Sequence, residues 1–269
     1  MKKVFSTLIA VFCTLTACAN SNVRPDAPKT EDELLAQWTA RLDSLSKILE
    51  SAASDQREQA LKAYEDAVLQ CCRENMQSTF PGELLLKNGF TVNHAELAKL
   101  AEQNPKWITE GKLVRIKERV LAWKSRTIGA PVTDFVMADT TGTERHLKDL
   151  IQPGHCTLID FWASWCGPCR ADMPEVKALY EKYQAKGFDI IGVSLDAKRE
   201  AWVNAINTVA GGLPWQHISD LKGWDSVGAT TYGVMFIPFT IFVGPDGNLV
   251  AYDMSDDKLK SILKEYYGE

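Results

Sequence analysis

The stretch Thr157–Met173, TLIDFWASWCGPCRADM, decides how the whole chain reads. Its first half is rich in branched and aromatic apolar residues (Leu158, Ile159, Phe161, Trp162), the composition of a buried strand. The run breaks at Ala163-Ser164 and gives way to Trp165-Cys166-Gly167-Pro168-Cys169, followed by helix-forming residues. A strand, a tight turn and a helix start therefore meet at two cysteines. A helix that begins at the motif puts Cys166 at its N-terminus. Free backbone N–H groups and the positive end of the dipole there favour thiolate over thiol, and the thiolate is the nucleophile. Cys169 follows one turn later on the same face, within reach of a disulfide across that turn. Pro168 is tolerated because its missing N–H would have no intrahelical partner.

Asp160-Phe161-Trp162 followed by Trp165-Cys166-Gly167-Pro168-Cys169 resembles the active site of the thioredoxin superfamily. The continuation Arg170-Ala171-Asp172-Met173-Pro174-Glu175-Val176, and Ile128-Gly129-Ala130-Pro131-Val132-Thr133-Asp134-Phe135 upstream, are similar to its membrane-anchored TlpA/ResA-like branch. The resemblance spans residues 127–269. It implies an α/β fold: a thioredoxin-like mixed sheet flanked by helices. It also implies thiol–disulfide exchange through Cys166 and Cys169, with no cofactor. Cys166, exposed at the helix start, is expected to attack, and Cys169 to resolve the mixed disulfide. A purely structural disulfide is the alternative, but so short a loop gives little entropic stabilisation.

Further site residues follow. Asp160 lies in an apolar strand, where a carboxylate is costly unless paired or protonated. It matches the buried acid of thioredoxins, which handles the proton of the resolving thiol; a solvent-facing place on a twisted strand is the other reading. Asp172 stands where TlpA/ResA-like proteins often carry Glu, and an exposed helix aspartate is an equal reading. The resemblance makes the Ile237-Pro238 bond cis and lays it against the cysteine pair. The Ile237 backbone would then pair with an extended substrate segment in β fashion. Trp165, Phe236 and Phe239 would add apolar contact, with core packing as an alternative for Phe239.

The chain's 269 residues, 45% apolar and 24% charged, suit one to two globular domains. The net charge of −5 becomes −7 if Lys2 and Lys3 are removed with a leader, and gives no reason to expect nucleic-acid binding. Residues 1–17 read as such a leader: a basic start, an apolar core from Val4 to Leu15, and Leu15-Thr16-Ala17 ahead of Cys18. This resembles a bacterial lipobox, which implies lipidation of Cys18. The apolar core is too short to span a bilayer. Residues 18–30, polar and Pro-containing, read as the lipidated tether.

Residues 31–125 read as a small α-helical domain without a catalytic motif. Thr30 and Glu33 suggest a capping box ahead of an apolar stripe from Leu34 through Trp38, Leu42 and Ile48 to Leu49. A second stripe runs from Leu61 to Met76. Ser78–Gly89, with Pro81-Gly82, reads as a loop, and helices are expected over 93–103 and 105–123. Cys71 and Cys72 point about 100° apart on a helix and read as buried thiols. Beyond Gly129, strands are expected at 135–137, 156–162, 188–195, 239–243 and 248–252. Helices are expected at 146–151, 172–186 (kinked at Pro174), 198–209 and 256–267, and a hairpin turn at Gly244-Pro245-Asp246-Gly247. The four histidines, His94, His146, His155 and His217, are scattered and suggest no metal site.

The expectation is a lipid-anchored, extracytoplasmic thiol–disulfide oxidoreductase, in all a disulfide reductase, acting on protein disulfides and fed by a membrane-embedded thiol donor. Gly-Pro between the cysteines together with Asp160 resembles reducing thioredoxins. A peroxiredoxin-like thiol peroxidase is the enzymatic alternative, although Cys166 and Cys169 lack a P-x-x-x-T-x-x-C context. A binding or assembly lipoprotein with a vestigial redox fold is the non-enzymatic one.

Overall fold

The computed structural model describes residues 29–268; the leader, Cys18 and most of the tether lie outside the described residues. Helix α1 (Glu31–Ser51) starts on the expected capping box, with Thr30 and Glu33 satisfying each other's backbone N–H groups. It packs on α2 (Arg57–Glu74) through Trp38 and Leu42, while Ile48 at the far end of the stripe is exposed. The segment 78–89 is not a loop. It forms α3 (Phe80–Lys87), with Pro81 in the first turn, where no N–H is needed. Gly82 lies under the Trp107 carbonyl, where a Cβ would come to 2.7 Å, so this glycine serves close packing rather than a turn.

Asn93 caps α4 (His94–Ala101). The single helix expected over 105–123 is broken into α5 (Lys106–Thr109), a 3₁₀ segment Gly111–Ile116, α6 (Lys117–Ala122) and a 3₁₀ end Trp123–Arg126. Gly111 at φ +70° is the break. These helices enclose their own apolar cluster around Tyr64, Leu97, Trp107, Leu113 and Trp123.

The rest of the chain builds one sheet. Its elements are β1 (Val136–Asp139), β2 (Glu144–His146), α7 (Leu147–Leu150), β3 (Cys156–Trp162), α8 (Gly167–Tyr183), β4 (Phe188–Ser194), α9 (Arg199–Thr208), β5 (Gln216–Ser219), α10 (Val227–Thr231), β6 (Phe239–Val243), β7 (Leu249–Tyr252) and α11 (Asp256–Tyr267). The strand order is β2-β1-β5-β4-β3-β6-β7, with β3, β4 and β5 parallel and the outer strands antiparallel. Helices flank this mixed sheet in the thioredoxin-like manner. β2, β5 and α10 have no counterpart among the elements expected from sequence. Helix α8 begins at Gly167, five residues before the expected 172, and runs through Pro174 unbroken.

Every residue of β3 is buried, because β4 and β6 cover its edges and helices cover its faces. Phe161, Trp162, Phe188, Phe239 and Phe242 fill the core, each side chain worth roughly 1.5–3 kcal/mol on burial. The two apolar clusters meet where Trp123 and Arg126 reach the segment Tyr232–Val234, just ahead of Pro238.

Candidate active site

Strand β3 ends at Trp162, and the chain turns through Ala163-Ser164-Trp165 into α8. Asp196, buried just past β4, fixes this turn: its carboxylate accepts from the Ser164 N–H at 2.9 Å and from the Ser164 hydroxyl at 2.5 Å. Ser194 Oγ donates to the same carboxylate at 2.8 Å. Parallel pairing of β3 with β4 makes this possible, since it carries both strand ends to one edge of the sheet.

Cys166 is the N-cap of α8, and its Sγ accepts from the Cys169 N–H at 3.2 Å. The two cysteines form a disulfide with Cα atoms 5.3 Å apart. A sulfur held at a helix N-terminus with a backbone donor is stabilised as thiolate once the bond opens. The expected exposure of Cys166 is not found in this oxidised form: Cys166 is 4% exposed and Cys169 2%. Exposure therefore does not separate attacking from resolving thiol here.

Asp160 lies behind Cys169 with 4% of its surface exposed, and its carboxylate has no hydrogen bond among the described residues. Asp160, Cys169, Asp172, Pro238, Asp253 and Asp256 share a small cavity of about 60 Å³, enough to hold water. Burial, and then the negative charge of Asp172, push the Asp160 carboxyl up to about 7. Asp172 is half-buried and lines this cavity, so it is not the freely exposed helix aspartate. Asp256 is also raised, by burial and then by Glu175 and Asp172.

The Ile237–Pro238 bond is cis, and Pro238 borders the same cavity as Cys169. The Ile237 N–H and C=O have no main-chain partner among the described residues. Trp165 and Phe236 are exposed near the motif, with Trp165 beside Trp224 at 6.2 Å between ring centroids. Phe239 is a core residue, stacked edge-on against Phe161, and offers no surface to a ligand. Cys18 lies outside the described residues.

Burial pushes the Cys71 thiol up to about 12 and Cys72 well above its ordinary value, as suits inert core thiols; Cys156 is also buried. No group of three His, Cys, Asp or Glu among the described residues is arranged to hold a metal ion. The sequence reading missed Asp196, Asp253, Asp256 and Trp224. Only Asp196 carried a signal, since it closes the apolar run FDIIGVSL whose parallel strand ends beside the motif.

Residues 128–252 match the AhpC/TSA family. The chain is 34% identical over 141 residues to the thiol-disulfide oxidoreductase ResA of Bacillus thuringiensis, covering 51% of this chain and 78% of that one. To ResA of Bacillus subtilis it is 27% identical over 138 residues, covering 51% and 73%. Among solved structures, a thiol-disulfide oxidoreductase from Bacteroides fragilis is 31% identical with a TM-score of 0.47, covering 51% of this chain and 99% of that one. On the sequence relationship, the chain belongs to the thioredoxin-like family of ResA-type thiol-disulfide oxidoreductases, and it is an enzyme of that class.

Proposed function

We propose that Cys166 and Cys169 are the redox pair, that Asp160 serves the proton of Cys169, and that the enzyme reduces protein disulfides outside the cytoplasm. The observation that carries this reading is the Cys166–Cys169 disulfide at the N-cap of α8, with Asp160 buried behind it. The Cys166 thiolate attacks one sulfur of a substrate disulfide; that S–S bond breaks, and the first substrate thiolate leaves and takes a proton. Cys169 gives its proton to Asp160 and attacks Cys166 Sγ, releasing the second substrate thiol. Two electrons pass to the substrate, and the enzyme is left as the disulfide described above. A base titrating near 7 suits proton transfer at neutral pH. Trp165, Ile237 and Pro238 form the substrate platform, with the unpaired Ile237 backbone as the β-type contact.

The domain plan that goes with this is a leader (1–17), a tether lipidated at Cys18 (18–30), a helical domain (31–125) and the thioredoxin-like domain (127–269). No helix among the described residues is long and apolar enough to cross a membrane; the attachment proposed here is the lipid at Cys18. Re-reduction requires a membrane-embedded thiol donor. The reduction potential of the pair tests the direction: a value near roughly −270 mV fits a reductase, and one near roughly −120 mV an oxidant. The AhpC/TSA match supports a second reading, thiol peroxidase. Hydroperoxide turnover as fast as disulfide turnover would establish it.

A further inference from the structure

Between the helical region and the edge of the sheet lies a second, larger cavity of about 700 Å³, in the size range of specific ligand sites. One wall is Met235 and Phe236, the residues directly before Ile237-Pro238. The opposite wall comes from the helices, with Leu61, Leu86 and Phe90. Three large apolar side chains around it are left open to solvent: Leu61 at 37%, Leu86 at 40% and Phe236 at 47%. Asp253 lines both this cavity and the small one at Cys169, so the two spaces adjoin.

The helical region holds the backbone that leads into the wall beside the redox site. Arg119 donates to the carbonyls of Val234, at 2.9 Å, and Trp224. Trp123 Nε1 donates to the Gly233 carbonyl at 2.8 Å, and Arg126 to those of Tyr232 at 2.6 Å and Gly233 at 2.7 Å. His94 is stacked between Trp123 and Tyr252, and its Nδ1 accepts from Arg126 at 2.8 Å.

The charges select the occupant. Arg126 lines the cavity; its hydrogen bonds go to carbonyls and His94, and it feels the Asp253 charge without forming an ion pair among the described residues. Glu65 and Asp253 line it outside any ion pair among the described residues, and Asp160, Asp172 and Asp256 follow beyond Asp253. The whole cleft is therefore apolar and net acidic, which favours a basic partner over an acidic one.

We propose that this cavity is a docking subsite for an apolar segment, carrying basic rather than acidic residues, of the same polypeptide whose disulfide is exchanged at Cys166. The proposal rests on the exchange reading given above and assigns the helical region a task within it: gripping substrate beside the cysteine it presents. A polypeptide is favoured because the cavity continues from the free Ile237 backbone, where an extended chain would already be held.

The test compares three substrates on the full chain: a disulfide peptide with flanking Leu, Phe and Lys, its sister with Glu for Lys, and 2-hydroxyethyl disulfide. Leu61→Gln combined with Leu86→Gln alters exposed side chains away from the cysteines. It should raise KM for the Lys peptide about tenfold, equivalent to ~1.4 kcal/mol, and leave turnover of 2-hydroxyethyl disulfide unchanged. Glu65→Gln should narrow the preference for the Lys over the Glu peptide. Equal effects on peptide and small disulfide, or no effect on either, overturn the subsite while leaving the exchange reading intact. Failure of the wild-type chain to turn over either disulfide overturns both. As a second measurement, the Lys peptide with a photo-crosslinking side chain is trapped on Cys169→Ser. Crosslinks should fall within residues 61–94; crosslinks confined to Trp165 and Trp224 contradict the subsite.

Discussion

Asp160 concentrates the conflict between folding and chemistry at a single side chain. Its carboxyl is raised from 3.8 to about 7 by burial and by Asp172. A carboxyl with a raised folded-state value stabilises the protein fully below about pH 4, and that contribution is lost as pH rises through about 7. A rise of that size corresponds to on the order of 4 kcal/mol. Asp160→Asn should therefore stabilise the oxidised protein by up to about that amount at pH 8 and by little at pH 4, as read by urea unfolding at both. The same variant should slow resolution of mixed disulfides more than the initial attack, in stopped-flow measurements with a trapped adduct. A variant no more stable at pH 8 than the wild type, or one slowed equally in both steps, removes the buried base from the account. Asp160 was visible in the sequence because one carboxylate interrupts an apolar strand. Asp196 carried only the weaker signal of closing an apolar strand, and Asp253 carried none, because an aspartate just past a strand reads as ordinary turn chemistry until the register brings it beside the motif.

At the level of elements, the junction between Trp123–Arg126 and Tyr232–Val234 is the feature that local sequence could not reveal. It joins residues more than a hundred positions apart through buried arginine and indole donors. Gly233 makes the close approach possible: it sits at φ +61°, and a Cβ there would run into the Arg119 carbonyl and the Trp123 ring. Gly233→Ala should cost roughly 2–4 kcal/mol in denaturant unfolding, combining left-handed backbone strain with overpacking. A cost below about 0.5 kcal/mol would mean that the junction is loose. The same locality explains the sequence reading elsewhere. The capping box of α1, the turn at residues 244–247 and the last helix, α11, are encoded by neighbours and were legible. The helix at 80–87 and the broken stretch 106–126 were not. Pro81-Gly82 has the composition of a turn, and only packing against Trp107 and the backbone at Gly111 decides otherwise.

On the scale of the whole molecule, β3, the cysteine motif and α8 organise the sheet, and the helical region closes over the segment that leads into Pro238. Membrane attachment through lipid predicts that Cys18→Ser moves the protein from the membrane pellet to the soluble fraction while its disulfide turnover is kept. Complete sedimentation of that variant would require another attachment. The order of the two thiols is the claim on which everything else depends; burial in the disulfide form does not separate them, and the proposed order rests on Cys166 being the helix N-cap. Trapping decides it. Cys169→Ser leaves Cys166 able to attack but removes the thiol that resolves the adduct, so mixed disulfides with envelope proteins should accumulate and collapse on adding reductant. Cys166→Ser should give few adducts and a slowly alkylated thiol. Adducts on Cys166→Ser and none on Cys169→Ser would contradict the account at its centre.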